Sequence, residues 1–207
     1  MGNEYVALRE DDPQRAVLEA RGYKIVGQSW GARLEISDPP DLSVFLHAVS
    51  RVQAVGLTIS ELSVSASLDL QMLEQANHVD YPFTPATAHE LLDSNSARAL
   101  WQDGFRIFGA FDRGQLVGAT VIKHSEGRAE TEFTSVLRSH RGRGIGAGVK
   151  AASIVACAED GARLFATGGA AVNEASLAVN LVLGYQVTER WYSYVQRSPT
   201  ELLPTQS

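Results

Sequence analysis

The chain has 207 residues, 44% of them hydrophobic, and can bury a full core. Its net charge of -6 and pI near 5.4 give no support for broad binding to nucleic acid or to anionic membranes. A single cysteine, Cys157, excludes an internal disulfide and a cysteine-cluster zinc site. The five histidines show no metal-ligand spacing, so no metal is expected.

In chain order, residues 4–9 read as a short strand, and Asp12-Pro13 opens a helix that Gly22 stops. Two strands follow, YKIVGQSW and ARLEIS, with Gly31 at the turn. SDPPDLS then interrupts with paired prolines and serves as a linker over residues 38–44. Beyond it the pattern predicts a strand over residues 55–59 and helices over 67–76 and 85–92. Three hairpin-style strands come next, FRIFGAFD, QLVGATVIKH and AETEFTSVL. A helix over 144–159 leads to the strand ARLFAT, the helix NEASLAVNLVL, and two strands, YQVTE and WYSYV. No apolar run approaches the ~20 residues of a membrane span. The start MGNEYV lacks a signal pattern, which predicts a cytoplasmic location.

Residues 5–36 and 162–197 echo each other as strand, helix ending in Gly-Tyr, strand with Trp, strand. The spacing from Asp11 to Gly22 equals that from Asn173 to Gly184.

The segment SVLRSHRGRGIGAGVKAA concentrates the chemistry. Gly142, Gly144, Gly146 and Gly148 fall at alternate positions beside Arg138, Arg141 and Arg143, where a strand gives way to a helix. A helix start offers unpaired N–H groups and positive dipole, and glycines let a pyrophosphate lie against them. A Walker loop fails, because Gly148-Val149-Lys150-Ala151 lacks Gly-Lys-Ser/Thr. A dinucleotide fingerprint on Gly142, Gly144 and Ala147 lacks the acid expected at the end of the next strand.

The same segment resembles the signature of the GNAT superfamily of acyl-CoA-dependent N-acetyltransferases, Arg/Gln-x-x-Gly-x-Gly/Ala, met by Arg141, Gly144 and Gly146. Asn173, Asn180 and Gly184-Tyr185 resemble the next part of that family's cofactor site. The resemblance implies an α/β (mixed α+β) fold over residues 45–197. Its sheet would be mostly antiparallel and seven-stranded, flanked by helices, with the family's fourth and fifth strands splayed around the thioester. Acetyl-CoA is the implied co-substrate. Backbone N–H groups of Arg141, Gly142, Arg143, Gly144, Ile145, Gly146 and Ala147 would cradle its pyrophosphate, with the arginines adding charge. The backbone of Val136, Leu137 and Arg138 would meet the pantetheine arm, and Asn173 would hydrogen-bond it. N–H groups near Val136-Leu137 would face the carbonyl oxygen.

Glu132, ahead of Glu130, is the expected base, on a face shared with Thr134 and Val136 by period two. Asn180 stands where many members carry the tyrosine that protonates the leaving thiolate, and an asparagine has no such proton to give. Residues 1–37 resemble the back portion of a second GNAT unit, as in tandem members such as mycothiol synthase. This remnant would pack on the catalytic domain or complete a homodimer. Residues 198–207 read as a tail.

The expected reaction is direct acetyl transfer to a primary amine of a small molecule, with no nucleic-acid or membrane partner. A protein amine as acceptor, a non-catalytic acyl-CoA-binding module and a nucleotide-binding oxidoreductase domain stay open as alternatives.

Overall fold

The chain is described here from a computed structural model covering residues 5–80 and 91–196. The N-terminal part holds β1 (Val6–Arg9), α1 (Gln14–Ala20) and β2 (Tyr23–Glu35), then α2 (Ser43–Ala54), β3 (Thr58–Glu61) and α3 (Ser67–Asn77). The rest holds α4 (Ser94–Gln102), β4 (Phe105–Asp112), β5 (Gln115–Ser125), β6 (Arg128–Val136), α5 (Ile145–Glu159), β7 (Leu164–Ala170), α6 (Glu174–Val182) and β8 (Gln186–Gln196). The helix expected over 85–92 lies mostly outside the described residues, as does the C-terminal tail.

All eight strands join one mixed sheet in the order β1-β8-β2-β7-β6-β5-β4-β3. The expected count of seven is therefore corrected to eight. Residues 58–196 supply six strands rather than seven, because YQVTE and WYSYV are one strand: Arg190 continues the ladder opposite Trp30 and no turn residue separates the halves. The same holds for YKIVGQSW and ARLEIS. Gly31 makes no turn; β2 runs through it, and the register slips there by a bulge on β8 at Thr188. The two long strands pair antiparallel with each other, and β2 also pairs antiparallel with β7. β2 thus occupies an interior place in the sheet, and β1 lies at its edge.

Both faces of the sheet are covered. β5 is buried from Leu116 to Ile122, which explains its near-continuous apolar run there. On one face Phe45 of α2 and Ile154 of α5 pack with Trp30, Phe108, Ile122, Phe165 and Tyr185. On the other, α3 packs Leu70 and Leu73 against Ile107, Leu116 and Val121.

Helix α2 was not among the expected elements. Phe45, Val49 and Val52 lie at the i, i+4, i+7 spacing of a buried stripe, a signal obscured by the prolines just before it. It crosses α5 at Gly148, where a Cβ would come within 2.5 Å of the Val52 side chain. Cys157 is buried in this core with Arg106 Nη1 donating to its Sγ at 3.9 Å, and desolvation pushes its thiol up to about 11, which leaves it a poor nucleophile.

Candidate active site

β6 and β7 are parallel and pair only from Arg128↔Leu164 to Glu130↔Ala166. Beyond that point β6 stays with β5 and β7 stays with β2, so the sheet forks at Thr131 and Thr167. The glycine segment lies at the open end. From Val136 the chain passes through a short 3-10 turn (Arg138–His140) to α5. Gly142 and Gly144 have φ of +75 and +78, a left-handed conformation open to glycine and costly for other residues. Gly144 is the N-cap of α5 and has no side chain to cap it, so the first turn of α5 presents its N–H groups outward. Nothing lies within 4 Å of where a Cβ would sit on Gly142 or Gly144. Gly146 faces the fork, ringed by Val136, Thr134 and Val179 at 3.6 to 3.9 Å from its would-be Cβ.

The arginine side chains do not stand free above this loop. Arg141 Nε donates to the Val136 carbonyl at 3.0 Å and Nη2 to Asn77 Oδ1 at 3.0 Å, and Nη2 lies 2.9 Å from Asp80 Oδ2. Arg138 lies 3.9 Å from the same carboxylate. Arg143 and His140 both approach Asp112, at 3.9 and 3.2 Å. The end of α3 is thereby tied to the loop, and Asn77 Nδ2 also donates to Ser135 Oγ at 2.7 Å.

Two further expectations are corrected by geometry. The N–H of Leu137 donates to the Val117 carbonyl at 2.9 Å and is not available to a carbonyl oxygen in the fork. Glu132 does not share a face with Thr134 and Val136, because it sits in a β-bulge: Thr131 pairs with Ile122 and Phe133 with Val121, which inverts the alternation. Ala129 packs on the α5 side and Thr134 and Val136 also turn to α5, while Phe133 packs on the α3 side. Glu132 is exposed at that bulge, and Glu130 is exposed as well.

Asn180 is 2% exposed: its Nδ2 donates to the Ser176 carbonyl at 2.8 Å and its Oδ1 accepts from Lys150 Nζ. Asn173 caps α6, with Oδ1 accepting from the Ser176 N–H at 3.0 Å, so its Nδ2 hydrogens are outside the cap. Ile145 is buried, while Ala147 is half-buried. Trp30 is core; Trp101 Nε1 donates to the Leu62 carbonyl at 2.9 Å.

Lys150 was missed. It is 2% exposed on α5, one turn beyond Gly146, and Nζ donates to Thr167 Oγ1 at 2.9 Å as well as to Asn180. Desolvation lowers it to about 7. The signal was visible: it is the one charged residue among the first fourteen of IGAGVKAASIVACAE, spaced i+4 from Gly146 on the buried stripe.

A mixed sheet forked between two parallel strands, with a glycine-rich, uncapped helix start at the fork, is the frame of an acyltransferase. The chain belongs to the Acetyltransferase (GNAT) family, whose model matches residues 70–185; members of this family generally use acetyl-CoA. No curated protein sequence matches the chain. Among solved structures, a GCN5-related N-acetyltransferase from Sphaerobacter thermophilus shares the fold at 16% identity and TM-score 0.66, covering 94% of this chain and 60% of that one. A tandem GNAT protein from the clavulanic acid biosynthesis pathway is similar at 21% identity and TM-score 0.61, covering 92% of this chain and 62% of its own. This chain therefore spans less than two thirds of either. An N-acetyltransferase from Staphylococcus aureus Mu50 shows the converse at 16% identity and TM-score 0.54, with 69% of this chain and 99% of that one.

Proposed function

We propose that the protein moves an acetyl group directly from acetyl-CoA to the primary amine of a small molecule. The observation that carries this reading is the fork itself, opening where β6 and β7 part and meeting the glycine start of α5. Acetyl-CoA fits the residues present. Left-handed Gly142 and Gly144 leave open space on the side a Cβ would fill, and the uncapped N–H groups of α5 suit a pyrophosphate. Backbone groups from Arg141 to Ala147 would hold that pyrophosphate, and the Asn173 Nδ2 hydrogens would meet the pantetheine amides. When bound, acetyl-CoA supplies an activated thioester. The chain must orient it and accept a proton from the acceptor ammonium, for which exposed Glu132 at the bulge is the candidate base.

Residues 5–35 we read as the remnant of a second GNAT-like unit. β1-α1-β2 and β7-α6-β8 have the same element order, and β2 lies between β7 and β8. The remnant has no glycine loop of its own and acts by completing the sheet.

A second reading, an acyl-CoA-binding module that does not turn over, is favoured by one observation. Asn180 is held by Lys150 and Ser176 and has no acidic proton to give to a leaving thiolate. Thermal-shift assays with acetyl-CoA, CoA and NAD test the common ground: absence of stabilisation by either CoA species would sink both readings. Thiol release with a panel of small amines then separates them, and Glu132→Gln retaining full turnover would remove the proposed base.

A further inference from the structure

Lys150 is a lysine almost wholly removed from water at the point where the sheet forks. Thr167, which accepts its hydrogen bond, is the first residue of β7 beyond the last pair with β6. Its second acceptor, Asn180, comes from α6. Tyr185, just before β8, places its ring centroid 4.8 Å from Nζ, and Thr131 of β6 lies beside the Tyr185 hydroxyl. Burial raises the Tyr185 phenol, so it stays protonated and supplies no counter-charge to Nζ. Nζ has no carboxylate partner among the salt bridges of the described residues. A buried ammonium without a counter-charge is costly, and a structural cross-link between α5, β7 and α6 does not require one.

Two of the three Nζ hydrogens are accounted for by Thr167 and Asn180. Both bonds survive deprotonation, since a neutral amine still carries two hydrogens. The third hydrogen is the mobile one.

We propose that Lys150 Nζ, oriented by Thr167 and Asn180, is the proton donor to the thiolate that leaves when acetyl transfer occurs in this fork. The proposal rests on the acetyl-CoA reading above. As the acceptor nitrogen bonds to the carbonyl carbon, the C–S bond breaks and its electron pair goes to sulfur. Nζ gives its third proton to that sulfur and becomes a neutral amine. The proton released by the acceptor ammonium goes to the base, and Nζ is reprotonated from solvent after the products leave. Asn180, which lacks a proton to give, becomes a positioning residue for the donor. The value of about 7 for Lys150 suits an acid that must both hold and release a proton near neutral pH.

The test is the thiol of bound CoA, followed by its thiolate ultraviolet absorbance as pH is raised. Up to about pH 7, where Nζ is still charged, an ammonium beside the sulfur should raise the thiolate population of bound CoA up to about tenfold over that of a free thiol, whose pKa is about 8.5. Lys150→Met should return it to within about twofold of free CoA. Identical titration of the bound thiol in both proteins would overturn the proposal. Should Lys150→Met fail to fold, lysine side-chain NMR of the unaltered protein serves. CoA should raise the Lys150 titration while desulfo-CoA does not, and equal effects from the two ligands would overturn the proposal. Calorimetry separates the failures. No CoA binding removes the acetyl-CoA reading and this one together, whereas binding with an unperturbed thiol removes only the Lys150 donor.

Discussion

Arg141 Nη2 lies 2.9 Å from Asp80 Oδ2, so the signature arginine of the glycine loop is turned back onto the end of α3. The same guanidinium holds Asn77 and the Val136 carbonyl. The loop at the fork and the helix over the opposite face of β6 are therefore one connected unit, and anionic ligands must compete with Asp80 for Arg138 and Arg141.

Removing that competitor has a predictable sign. Asp80→Asn should tighten CoA binding by about two- to fivefold, read by calorimetry at two ionic strengths, with the gain shrinking at high salt. The pair is partly exposed, so the stability cost should be about 1 kcal/mol or less. Weaker CoA binding in Asp80→Asn would mean that Asp80 orients the arginines rather than competing for the ligand.

Gly144→Ala places a Cβ on a left-handed residue at φ +78. The strain should cost about 1–2 kcal/mol, or roughly 2–8 °C in melting temperature. CoA affinity should fall by about tenfold or more, because the N–H groups of α5 no longer point as they do now. Unchanged affinity would remove this loop from the binding site.

At the α2–α5 crossing, Gly148→Ala brings a methyl group within 2.5 Å of the Val52 side chain. Overpacking there should destabilise by about 1–3 kcal/mol. Val52→Ala in the same chain should recover part of the loss, so the double-mutant cycle reads a favourable coupling between the two.

Deleting residues 1–36 removes β2 from between β7 and β8. The exposed edges of both strands would be left unpaired. The truncated chain should collect in the insoluble fraction or lose cooperative unfolding by circular dichroism. A truncated chain that melts cooperatively and binds CoA would show that the rest of the sheet closes without β2.

Lys150 sets a pH dependence of stability. Its value in the folded chain is about 7, against an ordinary 10.5 when unfolded. Between those values the unfolded chain binds more protons, so stability rises with pH across this window. Below about 7 both states are protonated and the penalty is complete. The span corresponds to several kcal/mol at most, at about 1.4 kcal/mol per unit. Urea midpoints should climb from about pH 7 to about pH 10 in the native chain and lose this component in Lys150→Met.

The strands of the hairpin meander, the helix after the glycine loop and the loop itself were legible because each rests on local chemistry. Turn residues bound β4, β5 and β6, and left-handed glycines precede α5. The bulge at Glu132 was not legible, since one extra residue in a ladder leaves no mark on composition yet inverts which side chains share a face. Asn173 caps α6 through a partner three residues on, a local pattern, whereas the engagement of Asn180 by Lys150 depends on a partner 30 positions away.

The sequence by itself determined the family frame and the place of the glycine loop, because helix starts and tight turns are decided within a few residues. Tertiary structure alone decided that β2 enters the sheet between β7 and β8, that the arginines face Asp80 and Asp112, and that a lysine lies buried at the fork. Those outcomes follow from strand pairing and desolvation between segments far apart in the chain, where no local pattern records which neighbour will be met.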